Sequence, residues 1–295
     1  MKHPADGPTR PPDGHSGAMR LATWNVNSIK PRLPRLLDWL AATAPDVVAL
    51  QETKCAPDAF PRSEIGRLGF DSADHGTGRW NGVALLSRVG LADVRSGLDS
   101  EPGNPGIEPR ALAATCGGVR VWSVYVPNGR VPDSEHYAYK LAWLQALRAT
   151  VAAELPGHSP LVVCGDFNVA PTDADVWDPA AFTHSTHVTP AERAELAQFR
   201  GLGLTDIRPR PLKGPNPFTY WDYRAGMFHQ DLGMRIDLVL GSADLASRVR
   251  AVWIDRQARK GSAPSDHAPV IVDLDEAPDG DIGPVVPPPS APRRR

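Results

Sequence analysis

The sequence predicts an α/β domain built on mixed β-sheets. Short apolar runs alternate with stretches whose apolar residues recur at helical spacing. Two of the runs, Ala111–Thr115 and Val119–Val126, are separated only by Cys116-Gly117-Gly118, a hairpin signature. Interleaved helices combined with hairpin neighbours favour mixed sheets over a purely parallel one.

Leu21–Val26 reads as the first strand and runs into Asn25 and Asn27. Pro34 suits the first turn of a helix, and Leu36, Leu37 and Leu40 give that helix an apolar face. Val47–Leu50 follows Pro45-Asp46 and ends at Gln51-Glu52; Val83–Leu86 is a further short strand. After the hairpin, the chain passes through Tyr125-Val126-Pro127-Asn128-Gly129 into the longest helical stretch, Ser134–Glu154. There Tyr137, Leu141, Leu144, Leu147 and Val151 recur at helical spacing. Leu161–Cys164 is a continuous apolar run, as a strand buried on both faces requires. Pro190–Arg200 reads as a helix, and Ile236–Leu240, Val249–Ile254 and Val270–Leu274 as strands.

Residues 1–18 and 276–295 carry Pro, Gly and charge without a hydrophobic period, so they read as disordered tails. The span Met19–Asp275 reads as one domain, with no short internal repeat. No run has the length of a membrane span, and no apolar stretch follows the N-terminal charges as a secretory signal would need. Cys55, Cys116 and Cys164 lack metal-ligand spacing and fit reduced thiols in a cytoplasmic setting. A formal net charge of −2 does not by itself advertise a polyanion partner, although a local basic face remains compatible with it.

The chemistry gathers at strand ends. Gly165-Asp166-Phe167-Asn168 presents a carboxylate and an amide two residues apart, which in an extended chain point the same way. The same four residues also suit a simple turn. Asn25 and Asn27, Glu52, Tyr125 and Asn128, and Asp237 sit at other strand ends, and Ser265-Asp266-His267 precedes the last strand. Six such ends suggest one pocket at one edge of the sheets. Glu52 and Asp166, with amide and water oxygens, match the hard ligand set of Mg²⁺, and the absence of clustered His and Cys argues against zinc. With His267 as a donor to an anionic oxygen, the set suits phosphoester hydrolysis. Taken singly, Glu52 also reads as a surface residue, Asp266 as a turn or helix cap, and Tyr125 as core. Asp237, at the head of an apolar run, needs a partner because an unpaired buried acid is costly.

Trp24-Asn25-Val26-Asn27-Ser28-Ile29, Gln51-Glu52-Thr53-Lys54, Tyr125-Val126-Pro127-Asn128-Gly129, Gly165-Asp166-Phe167-Asn168, Arg235-Ile236-Asp237 and Ser265-Asp266-His267-Ala268-Pro269-Val270 occur in this order. Together with Phe218-Thr219-Tyr220-Trp221-Asp222-Tyr223-Arg224, they resemble the exonuclease III family of abasic-site endonucleases, within the endonuclease/exonuclease/phosphatase superfamily.

The resemblance implies a four-layer α/β/β/α sandwich of two packed mixed sheets, DNase I-like. It implies Mg²⁺-dependent cleavage, with Mn²⁺ able to substitute, of DNA phosphodiesters 5′ of abasic sites, with 3′→5′ exonuclease and 3′-phosphatase activity. The partner would be double-stranded DNA with abasic sites or blocked 3′ ends, bound by a monomer in the cytoplasm. Glu52 would be the main metal ligand, with Asn27 and Asp266 nearby and Asp166 also able to contribute. Asp166 would orient or deprotonate the attacking water, supported by Asn168 and Asn25. His267, paired with Asp237, would bind the scissile phosphate together with Tyr125 and Asn128. Tyr220, Met234 and Ile236 would form an apolar pocket for a flipped-out sugar, and Arg224 would enter the duplex. Tyr220 stands where Trp or Phe is common in such proteins, and its hydroxyl changes the pocket's polarity. Trp221 reads as a core aromatic. Two rival functions remain: a phosphatase of the same superfamily acting on inositol phosphates or phospholipids, and a catalytically inactive DNA-binding homologue.

Overall fold

The computed structural model describes residues 18–211 and 216–275. The expected disordered tails lie outside the described residues, apart from Ala18. The strands in chain order are β1 (Met19–Asn25), β2 (Val47–Gln51), β3 (Asp71–His75), β4 (Val83–Ser87), β5 (Ala92–Ser96) and β6 (Ala111–Cys116). They continue with β7 (Val119–Tyr125), β8 (Leu161–Asp166), β9 (Thr205–Asp206), β10 (Asp237–Gly241), β11 (Val249–Ile254) and β12 (Val270–Leu274). They form two mixed sheets, ordered β11-β12-β1-β2-β4-β3 and β5-β6-β7-β8-β10-β9. The parallel pairs are β1 with β2 and β7 with β8.

The helices are α1 (Ile29–Thr43), α2 (Arg62–Gly66), α3 (Glu135–Glu154), α4 (Pro190–Gly201), α5 (Met227–Gln230) and α6 (Ala243–Arg248). Alternation along the strands divides the core into layers. Leu21, Val47 and Ala49 face Val121, Val162 and Cys164 between the sheets. The opposite faces of β1 and β2 pack Ala22, Trp24, Val48 and Leu50 on Ile29, Leu36, Trp39 and Leu40 of α1. Trp122, Val124, Leu161 and Val163 pack on Trp143, Leu144, Leu147 and Phe199 of α3 and α4. The result is the α/β/β/α sandwich, and both parallel pairs are central and buried on both faces.

The first helix differs from expectation. It begins at Ile29, so Pro34 lies inside it rather than in its first turn. Proline there removes one intrahelical bond, and burial of Leu36, Trp39 and Leu40 at roughly 1.5–3 kcal/mol each offsets the loss. No side chain caps α1; the Ser28 and Ile29 amides donate instead to the Glu52 and Thr53 carbonyls, at 2.7 and 3.0 Å. The longest helix matches expectation closely: Ser134 is its N-cap, and its hydroxyl accepts from Tyr137 N at 3.2 Å.

Two edge strands carried no apolar signal. β3 reads Asp-Ser-Ala-Asp-His and is exposed or half-buried. β5 is largely exposed and carries a bulge between Ala92 and Arg95. Polar, irregular edges of this kind resist edge-to-edge pairing and leave no period-two pattern to read. The three cysteines are buried and unbridged. No helix among the described residues is long and apolar enough to cross a membrane.

Candidate active site

The site forms where the C-terminal ends of β1, β2, β7 and β8 meet the start of β10 and the segment before β12. The stitching is backbone-driven. Val26 N donates to Gln51 O at 3.0 Å and Ser28 N to Glu52 O, so the turn after β1 is laid against the end of β2. Asn27, Glu52 and Asn168 all have positive φ, at 43°, 51° and 49°. That region costs a non-glycine residue roughly 1–2 kcal/mol, and here it is sustained by these cross-links.

It also corrects the simple extended picture of Asp166 and Asn168. The strand ends at Asp166, and the ring of Phe167 is buried among Val163 and Phe199. Asn168 turns back so that its amide donates to Asp166 Oδ1 at 2.9 Å. Both residues still serve the site, but through this turn rather than through a shared strand face. Gly165 precedes them at φ 147°, where a Cβ would fall 2.0 Å from Val124 O. Only glycine permits β7 and β8 to approach so closely there.

Asn25 Nδ2 donates to Glu52 Oε1 at 2.8 Å and to Asp166 Oδ2 at 2.9 Å, bridging the two carboxylates. Its Oδ1 accepts from Asn27 N at 2.9 Å. His267 Nδ1 lies 2.8 Å from Asp237 Oδ2, and Nε2 lies 3.7 Å from Asp166 Oδ2. Asp237 and Asp166 face each other in register on adjacent strands, so the imidazole is flanked by two acids. Burial alone would lower the His267 pKa, but Asp237 and then Asp166 outweigh it, and the ring is held well above its usual range as an imidazolium. Asp166 is raised, first by burial and then by the nearby Asp237 and Glu52 charges, against the pull of His267. A carboxylate made more basic in this way is a better proton acceptor.

Burial pushes the Glu52 carboxyl up, but Lys54 and Asn25 prevail and hold it below its ordinary value. Lys54 Nζ lies 2.7 Å from both Glu52 Oε2 and Asn27 Oδ1. These two oxygens therefore already converge on one cationic centre. Asp266 Oδ1 stands next to them, 3.1 Å from Asn27 Nδ2. Ligand atoms of Glu52, Asp166 and His267 also lie within 4.8 Å of one another. A protonated imidazole is no ligand, which leaves an all-oxygen set suited to a hard divalent cation. The oxygens of Glu52, Asn27 and Asp266 lie close enough together to fit such an ion.

Tyr125 is half-buried against Glu52, and its phenol is raised far above its ordinary value by burial and then by Glu52, so it remains a donor. Asn128 Nδ2 donates to Asn168 Oδ1 at 3.3 Å, and Asn168 Nδ2 to Val126 O at 3.0 Å. A cavity of about 320 Å³ opens beside them, lined among others by Asn128, Trp177, His187, Tyr220, Arg224 and Met234. The Tyr220 ring lies 4.9 Å from the His267 ring. One expectation shifts here. Ile236 is buried behind the cavity with Ala170, Val176 and Met234 rather than lining it. Arg224 stands at the rim, its side chain 87% exposed and paired with Asp222. Trp221 is buried in the core, as expected.

Three residues escaped the sequence reading. Lys54 and Ser265 lie inside conspicuous motifs but had no assigned part. Ser265 Oγ donates to Asn25 O at 2.7 Å and accepts from His267 N, joining the first and last strands at the site. His187 had no signal; its Nδ1 lies 2.6 Å from Asn168 O.

Comparison with known proteins agrees with this geometry. Residues 22–267 match the sequence profile of the Endonuclease/Exonuclease/phosphatase family. The chain belongs to that family. Within the Endonuclease/Exonuclease/phosphatase family, it is 30% identical over 265 residues to exodeoxyribonuclease III of Haemophilus influenzae, covering 85% of this chain and 98% of the relative. Its fold is similar to that of the 3′-5′ exonuclease NExo from Neisseria meningitidis. The TM-score is 0.83 at 40% identity, over 88% of this chain and 100% of that one. An AP endonuclease from Archaeoglobus fulgidus gives a TM-score of 0.82 at 34% identity, with the same coverage of the two chains.

Proposed function

We propose that the protein is a DNA-repair nuclease that hydrolyses phosphodiesters 5′ of abasic sites and phosphoesters at 3′ ends, with Mg²⁺ as its cofactor and Mn²⁺ able to substitute. The observation that carries this reading is the Asp237–His267–Asp166 arrangement bridged by Asn25 to Glu52. It sets a proton acceptor, a cationic donor and an oxygen-ligand group within a few ångströms of one another. The phospholipid and inositol-phosphate readings find no support in the relatives named above, an exodeoxyribonuclease III, a 3′-5′ exonuclease and an AP endonuclease.

Asp166 takes a proton from a water molecule as the water oxygen bonds to phosphorus and the P–O3′ bond breaks; the departing 3′ oxygen takes a proton from solvent, giving a 3′-hydroxyl and a 5′-phosphate. The imidazolium of His267 donates to a phosphate oxygen, and the negative charge of Asp237 keeps that ring protonated. The Asn128 and Asn168 amides and the Tyr125 phenol supply neutral polar groups around the same phosphate. Glu52, Asn27 and Asp266 would hold a divalent cation, which would supply neutralisation of the charge on the reacting phosphate. Asn25 fixes the distance between that ion's main carboxylate and the proton acceptor.

The substrate is double-stranded DNA. The cavity between His187, Tyr220 and Met234 receives the sugar on the far side of the phosphate. An abasic deoxyribose costs little to extrude because no base is unstacked. The Neisseria protein, also solved as a 3′ phosphatase with a product DNA hairpin, supports work at 3′ ends, and the Archaeoglobus enzyme supports abasic cleavage. The test is parallel digestion of a duplex with one abasic analogue and a duplex with a recessed or 3′-phosphorylated end, in Mg²⁺, Mn²⁺ and EDTA. Cleavage of either DNA in metal but not in EDTA is the expected result; cleavage of phosphoinositides and not of DNA overturns the reading.

A further inference from the structure

Beneath the phosphate-side amides lies a charged cluster with no place in the chemistry described above. Lys140 of α3 and Glu192 of α4 have side chains fully shut off from solvent, and Lys140 Nζ meets Glu192 Oε1 at 2.5 Å. The same ammonium reaches Asn168 O at 2.6 Å, Asn128 O at 3.1 Å and Thr186 Oγ1 at 3.1 Å. A lysine has three N–H donors, so these four acceptors share them. The Thr186 hydroxyl, 2.5 Å from Glu192 Oε1 and 2.9 Å from Asn128 O, completes the cluster.

Two of those acceptors are the backbone carbonyls of the very residues whose amides line the site. Asn168 is in the left-handed region, and its carbonyl meets Lys140 Nζ and His187 Nδ1, each at 2.6 Å. Asn128 begins the turn over Lys140, and at Gly129 (φ 87°) a Cβ would fall 2.9 Å from Lys140 Cδ. The turn therefore rests directly on the lysine stem. Hydrophobic packing alone would not place an ammonium here, because burying it costs stability unless every donor is matched.

We propose that Lys140 is a positioning residue for phosphate hydrolysis: its ammonium, balanced by Glu192 and Thr186, ties the Asn128 and Asn168 carbonyls together and so fixes both side-chain amides at the scissile phosphate. This rests on the reading of the site as a DNA phosphoesterase. Lys140 touches no substrate; it acts through the two asparagines. Losing the tie lets both turns relax, and a displacement on the order of 1 Å at a positioning group costs up to about 100-fold in rate.

The experiment compares Lys140→Met, which keeps the stem, with Arg120→Met. Arg120 forms a buried pair with Glu154 (Nε–Oε2 3.0 Å) at the opposite end of β7. It thus controls for loss of a buried charge pair that also involves α3. Each variant is assayed on a duplex with a recessed 3′ end below its own thermal transition. Its Asn side-chain amide signals are followed by NMR. Lys140→Met is expected to lower kcat about 10- to 100-fold with KM within about threefold, and to shift the Asn128 and Asn168 amide signals. Arg120→Met is expected to keep kcat within about twofold at a similar loss of melting temperature. If Lys140→Met does not fold, Thr186→Val carries the test, with the same amide signals shifted and kcat lowered by about threefold or more. Equal kcat for the Lys140 and Arg120 variants, or unmoved Asn128 and Asn168 signals in the variant that folds, overturns the proposal. Wild-type protein inactive on every DNA substrate overturns the site reading instead, and the amide shifts remain as a separate reading of the tie.

Discussion

Asn25 Nδ2 lies 2.9 Å from Asp166 Oδ2, joining the end of one sheet to the end of the other across 141 residues of sequence. The same nitrogen holds Glu52, so one amide sets the distance between the Asp166 and Glu52 carboxylates. Asn25→Ala should leave two buried carboxylates facing each other without a donor between them. We expect kcat to fall by about 10²-fold, with duplex affinity within a few-fold of wild type. Single-turnover cleavage beside a fluorescence binding titration separates the two; unchanged turnover would remove Asn25 from the mechanism.

Asp237 holds the His267 ring in place and in its protonated form. Asp237→Asn retains a hydrogen-bonding shape but loses the charge that favours the imidazolium. The expected outcome is a kcat loss on the order of 10²- to 10⁴-fold, matched by His267→Ala. A double variant should be little worse than either single one, because the pair acts as a unit. Additive losses measured in that cycle would mean that the two residues work independently.

The loop behind the cavity lined by Tyr220 and Met234 hangs on a different network. Arg235 Nε meets Asp175 Oδ1 at 2.7 Å, its Nη2 meets Asp206 Oδ2 at 2.8 Å, and the arginine side chain is 1% exposed. Arg235 N also donates to Asp175 O at 2.8 Å, which pins the segment carrying Met234, Ile236 and Asp237. Arg235→Met leaves two acids short of a cation and should destabilise the fold by about 3–5 kcal/mol. Urea unfolding measures this, and a loss under about 1 kcal/mol would contradict it.

Asp255 gives a pH prediction remote from the catalytic groups. Burial raises its carboxyl to about 6, against the opposing hydrogen bonds from Trp39 Nε1 at 2.9 Å and from Gln257 N. Its folded pKa therefore lies above the unfolded value of about 3.9. Its stabilising contribution is fully present below about pH 4 and is lost as pH rises through about 6, a change of about 3 kcal/mol. The melting-temperature advantage of wild type over Asp255→Asn should thus shrink between pH 4 and pH 7. An advantage that grows over that range would reverse the sign and refute the assignment.

The central strands and the site motifs were legible because both leave strong local marks. Runs such as Leu161–Cys164 are apolar on both faces, and chemistry-bearing residues such as Glu52, Asp166 and His267 follow such runs or precede them. The polar edges β3 and β5 leave no such mark. The internal Pro34 was misplaced because its cost is repaid by tertiary burial of the next turn, which local rules do not weigh. The sequence left Gly165–Asn168 open between an extended end and a turn, because the left-handed backbone of Asn168 depends on contacts from α3 and from His187, distant in sequence. Lys54 was visible within its motif, but only the folded chain brings its ammonium between Glu52 and Asn27.

The most direct test of the central claim is single-turnover hydrolysis of an abasic or recessed 3′-end duplex by wild type and Asp166→Asn, each with Mg²⁺ and with EDTA. The account predicts rapid Mg²⁺-dependent cleavage leaving 3′-hydroxyl ends in wild type, and a loss of several orders of magnitude in Asp166→Asn with duplex binding retained. Comparable rates in the two proteins, or undiminished cleavage in EDTA, would contradict it.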